Sequence, residues 1–175
     1  MQFVPWRNVA DWKCIGCGDC CRLYSVVINF NEWLRIIRNY GVEQTVSGLN
    51  KLYIKRRADG SCAFLSSFPS SYRCGVQRMK PRACQLWPFK VFNAPQYGYA
   101  SEAEYPFGDG RLFIYVDSMC NGLRYGSPTL EFANYTVKEF VEIALGFRDV
   151  QLRTTANTGN AAGAGIQFYG IGSNR

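Results

Sequence analysis

Four thiols stand close together near the start of the chain, as Cys14-x2-Cys17-x2-Cys20-Cys21, with Gly16 and Gly18 between them. A C-x2-C turn points two sulfurs at one spot, and the glycines let backbone N–H groups approach and donate to them. That spacing signals a metal site. Adjacent Cys20 and Cys21 are expected to diverge, one joining Cys14 and Cys17 while the other reaches a second site or the core. Cys62, Cys74, Cys84 and Cys120 are spread widely and must be brought to the knuckle by folding. All eight are candidate metal ligands.

The chain of 175 residues has no histidine. That excludes imidazole bases, histidine-containing zinc sites and His-ligated haem. The ligands are therefore thiolates, supplemented at most by carboxylates such as Asp19. Four thiolates suit zinc and an iron–sulfur cluster equally by count. Eight exceed what one zinc needs, which favours a 4Fe–4S cluster, with zinc the alternative. The C-x2-C-x2-C start has ferredoxin spacing without the C-x3-C-P finish, and the C-x3-C-x2-C triplet of radical-SAM enzymes is absent.

The first residues carry no apolar stretch like that of a secretory signal, and no run approaches the ~20 apolar residues of a membrane span. The expectation is a cytoplasmic protein off the membrane, where thiols stay reduced and bind metal instead of pairing as disulfides. The net charge is +7. Residues 1–90 hold 14 Lys/Arg against 5 Asp/Glu, and Arg73, Arg78, Lys80, Arg82 and Lys90 lie in a stretch without acids. These cations either offset thiolate charge at the metal or form a face for phosphate. A protein or ribonucleoprotein partner is expected on the basic 1–90 face or on the C-terminal tail, with nucleic acid among the candidates.

The size and 47% hydrophobic content fit one domain with a core. The expected class is α+β: a small cysteine-rich, metal-organised domain over 1–153, with short strands, few helices, a C-terminal helix and a flexible or partner-docking tail over 154–175. Arg22–Phe30 is predicted as a strand, and Asn31 caps a helix from about Glu32 to Tyr40 that Gly41 stops. A second short helix is expected near 43–50. Lys51–Arg57 and Ser61–Leu65 flank a turn at Ala58-Asp59-Gly60, and 66–71 is read as a loop. Pro81 opens a short helix carrying Cys84, which Pro88 ends. Arg111–Val116 is the clearest strand. Thr136–Glu139 fits a capping box before a helix burying Val137, Phe140, Val141 and Leu145.

Four segments resemble the YkgJ-like cysteine-cluster family of zinc- or iron-chelating proteins. The knuckle CIGCGDCC is similar to its signature, and Asp59–Leu65 (DGSCAFL) to its D-G-x-C-P-F-L. Cys74 with Lys80–Phe89 (KPRACQLWPF) is similar to its C…R-P-x-x-C-R-x-x-P-F, and Cys120-Asn121-Gly122 to its C-P-G. The region 14–122 carries the likeness, and all eight cysteines fall on its motif positions. Ala63, Lys80, Gln85 and Asn121 depart from the usual Pro, Arg, Arg and Pro. The resemblance implies a metal-binding domain of structural or redox role. A related segment in flagellin lysine methylases adds a protein-modifying enzyme as an alternative, beside an RNA-associated module. Asp19, Glu102, Glu104 and Asp117 are the acid–base candidates, each expected as a solvated surface charge.

Overall fold

The computed structural model of the protein describes residues 3–152, so the tail over 154–175 lies outside the described residues. The described chain is α+β, with short strands in small antiparallel sheets. β1 (Phe3–Pro5) and β2 (Val9–Trp12) lead into the knuckle, and α1 (Asp19–Leu23) carries Cys20 and Cys21. β3 (Val27–Ile28), α2 (Phe30–Tyr40), β4 (Thr45–Gly48) and β5 (Lys51–Ile54) follow. Next come β6 (Leu65–Phe68), β7 (Ser71–Cys74), α3 (Arg82–Leu86), β8 (Phe89–Phe92), α4 (Ala100–Ala103) and β9 (Glu104–Phe107). β10 (Gly110–Asp117), β11 (Leu123–Tyr125) and α5 (Lys138–Leu145) complete the order.

β10 organises the larger half. It pairs with β1, β8 and β9, and is buried on both faces. The period-two geometry of a strand puts Leu112, Ile114 and Val116 in one core, while Phe113 and Tyr115 join Ala103 in a smaller cluster behind. The first core takes in Trp12, Phe89 and, from α5 and the residues before it, Phe132, Val137, Phe140 and Val141. A second, separate core forms where α2 lies over the β3–β5–β4 sheet, from Ile28, Ile36, Ile54, Phe64 and Val76.

Several expected elements are corrected. α2 begins earlier: Asn29 and Glu32 form the capping box, because Asn29 Oδ1 accepts the Glu32 N–H while Glu32 Oε2 accepts the Asn29 N–H. The predicted strand Arg22–Phe30 shrinks to Val27–Ile28, squeezed between α1 and α2. Of the region 43–50 only the start is helical, as the 3-10 turn Val42–Gln44; Thr45–Gly48 is a strand, since Thr45 and Val46 suit the pleat, and Asn50, at a φ of 59°, turns the chain back into β5. Residues 66–71 are the middle of a hairpin, with Leu65 opposite Cys74 and Phe68 opposite Ser71.

The Thr136 capping box is also overturned. The helical chain already runs from residue 130 through a π-helical segment (Phe132–Val137), and Thr129 Oγ1 accepts the Phe132 N–H at 3.2 Å. Thr136 is wholly buried inside it. On α5, Ile143 is buried where Leu145 was expected to be. The predicted stop at Gly41, the turn before Ser61, the short helix after Pro81 and the β10 strand all form.

Candidate metal centre

The knuckle is laid down by backbone bonds to the segments that carry the distant cysteines. The Lys13 N–H donates to the Gly122 carbonyl at 3.0 Å, two residues past Cys120. The Tyr72 N–H donates to the Gly16 carbonyl at 2.7 Å, tying in β7 and Cys74. The Cys62 N–H donates to the Cys21 carbonyl at 2.8 Å. Gly18, at a φ of +79° with the Tyr72 ring and the Arg22 guanidinium against it, turns the chain into α1. A side chain there would meet both strain and a collision.

These tethers bring thiols from five separate stretches of sequence onto one cavity. Cys14, Cys17, Cys20, Cys21, Cys62, Cys74, Cys84 and Cys120 all line it, and it measures about 290 Å³. None of the eight is in a disulfide. Cys20 and Cys21 do not diverge as expected: one turn of α1 holds their sulfurs 3.9 Å apart, both on the cavity wall. Among the described residues, no three thiol or carboxylate groups are drawn together as tightly as a single ion requires. The sulfurs are spread around the space.

The cavity lies in the seam between the two cores. Cys14 and Cys120 pack on the first, and Cys62 and Cys74 on the second. Trp12 closes the first side, its ring edge-on to Phe140 and its indole N–H donating to Cys120 Sγ at 3.4 Å.

Five of the thiols share one local device. The amide two residues on donates to the sulfur: Gly16 to Cys14, Asp19 to Cys17, Phe64 to Cys62, Val76 to Cys74 and Gly122 to Cys120. Amides aimed at sulfur favour the thiolate. Burial opposes them, and it is the larger effect: it raises the pKa of Cys14, Cys62, Cys74, Cys84 and Cys120, and that of Cys17 to about 11. Cys20 alone moves the other way. The Cys21 thiol donates to it and outweighs desolvation, which pushes Cys21 far up in turn. The charge of Cys20 also reaches each of the other seven thiols.

The donor set fits a thiophilic metal. The wall also carries Arg73, Lys80 and Lys90, and among the described residues the buried Arg73 Nε has no hydrogen-bond partner, which suits an anionic thiolate assembly. A family model described as a "putative zinc- or iron-chelating domain", named CxxCxxCC, matches residues 13–121 and takes in all eight cysteines. The chain belongs to this family. Neither the curated proteins nor the solved structures hold a match to it. Among the described residues no helix is long and apolar enough to cross a membrane.

Other residues of the CxxCxxCC domain fall differently from expectation. Asp19 lines the cavity and accepts the Asn121 amide at 2.5 Å. Asp117 is not a solvated charge: it is fully buried on the cavity wall and accepts the Tyr24 hydroxyl and the Met119 N–H, each at 3.1 Å. Burial and this carboxylate raise the Tyr24 pKa to about 12, so its hydroxyl remains a donor. Glu102 accepts from Ser101 and Glu104 pairs with exposed Arg111, and neither lines the cavity. Arg82 grips the carbonyls of Ile143 and Ala144 at the end of α5, and Arg78 is exposed. Trp12, Tyr24 and Trp87 on the wall escaped the sequence reading, since aromatic residues carry no ligand signature.

Proposed function

We propose that this domain holds an iron–sulfur cluster of the 4Fe–4S type on cysteine thiolates, in a structural or redox role. The observation that carries the reading is the distribution of eight thiols around a cavity of about 290 Å³. A tetrahedral zinc site draws its sulfurs to about 2.3 Å from one ion and leaves no space among them. An inorganic core with its own iron and sulfide fills room that thiolates only border. The space also exceeds several times the ~30 Å³ share of a water molecule.

The protein's own groups would do three things for such a cluster. The thiolates would hold it, the amides two residues on would donate to their sulfurs, and the apolar wall of Trp12, Ile54, Phe64 and Val76 would limit water. Bound iron would supply one-electron chemistry; a purely structural centre would cross-link the two cores. The test is anaerobic purification with metal, sulfide and spectroscopic analysis. Iron and acid-labile sulfide in equal amounts with a visible charge-transfer band are expected. A colourless protein with zinc and no sulfide would overturn the cluster.

A further inference from the structure

The cations on the cavity wall are not equivalent. Arg73 lays its guanidinium over the Phe68 ring at 4.9 Å. Lys80 follows the 3-10 turn Gln77–Met79 and is anchored by the Gln85 side-chain amide, which donates to its carbonyl at 2.9 Å. Its ammonium donates to Gln151 Oε1 at 3.1 Å. Gln151 is neutral, and among the described residues Lys80 forms no ion pair with a carboxylate. The amide thus positions the charge without cancelling it. That charge bears on Cys14, Cys20, Cys74 and Cys84, thiols from three separate segments.

We propose that Lys80, held at the cavity wall by Gln151, is the fixed countercharge of the thiolate-bound centre and sets both its reduction potential and its hold on metal. The inference rests on the metal-bound reading above. A cation beside an anionic centre favours the state with one more electron, and it favours thiolate over thiol. The step measured is the addition of one electron from external dithionite to the centre, with no protein bond made or broken. Lys80 is a positioning residue: it acts on the thiolates and need not touch the metal.

The experiment uses the full chain, loaded anaerobically, with wild type beside Lys80→Gln, Lys80→Arg and Gln151→Glu. The last places a carboxylate next to the ammonium and quenches its charge while Lys80 itself stays. A redox titration followed by visible absorption and EPR reads the midpoint, and competition with a chelator reads the hold on metal. Lys80→Gln and Gln151→Glu are expected to shift the reduced-to-oxidised ratio at fixed potential about tenfold toward oxidised, or about 59 mV lower. Both should also release metal roughly tenfold more readily, whichever metal is bound. Lys80→Arg should stay near wild type. A midpoint and chelator profile unchanged in both charge-quenched variants overturns the role of Lys80 while leaving the metal centre standing. Wild type holding neither iron nor zinc overturns the metal reading itself, before any variant is compared.

Discussion

Cys20 is distinguished from its seven neighbours by one contact, the thiol of Cys21. With that donor its sulfur stays ionised at lower pH than the others. In metal-stripped, reduced protein at neutral pH, iodoacetamide should therefore label Cys20 first, as read by peptide mass spectrometry. Replacing Cys21 with Ser or Ala should slow that labelling. The raised pKa values of the other thiols fix the sign of a second dependence. Metal binding must expel their protons, so affinity should rise with pH through the neutral and alkaline range and fall with acid. Equal labelling of all eight thiols would contradict this account.

Gly122 has a different constraint. A Cβ there would collide with the Lys13 carbonyl oxygen, in the pairing that sets Cys14 beside Cys120. Gly122→Ala should cost about 1–3 kcal/mol in urea unfolding and lower the metal content at purification. At this scale much was legible. The knuckle spacing and missing histidine pointed to sulfur, and the four matched segments named the eight cysteines that line the cavity. The Cys20–Cys21 pairing was not, because the direction of adjacent side chains depends on the helix that α1 forms. Nor was the burial of Asp117, which follows from β10 being covered on both faces.

Among the elements, the helices are joined through polar hinges. The Glu32 carboxylate, buried at the start of α2, accepts the backbone N–H of Arg82 at 2.7 Å, and the Arg82 guanidinium then reaches the last carbonyls of α5. A cation at a helix C-terminus satisfies free carbonyls and complements the dipole. Arg82→Ala should destabilise by about 1.5–3 kcal/mol, with Arg82→Lys recovering part, measured by thermal or urea unfolding. This chain of contacts was hidden in a sequence where Arg82 read only as one of several basic residues. The α2 start was legible in principle, since Asn29-x-x-Glu32 is a capping signature two residues ahead of Asn31. The hairpin 65–74 was missed because serines dominate it and its exposed face is polar, leaving little alternation to read. The π-helical stretch before α5 has no sequence rule, so Thr136 looked like a cap when it is core.

At the level of the whole molecule, two small cores meet along a seam lined by thiols and bridged by the Glu32–Arg82 contacts. Each core is small for independent stability, and small cores lean on metals or disulfides. Binding energies of structural metal sites, about 10–16 kcal/mol for zinc in small peptides, match the total stability of a domain. Stripping the metal under reducing conditions should therefore lower the unfolding midpoint and broaden the transition, and hydrogen exchange should rise first around 62–74 and 120. A stripped chain that melts as sharply as the loaded one would sink this view.

The seam placement also orders events during synthesis. Trp12 and Cys120, which touch in the finished fold, are 108 positions apart. A ribosome releasing this chain exposes the N-terminal thiols well before their last companion, which comes only with the loop after β10. A centre that draws on Cys120 would therefore close only on a chain made at least that far, so a prematurely ended polypeptide would offer an incomplete nest.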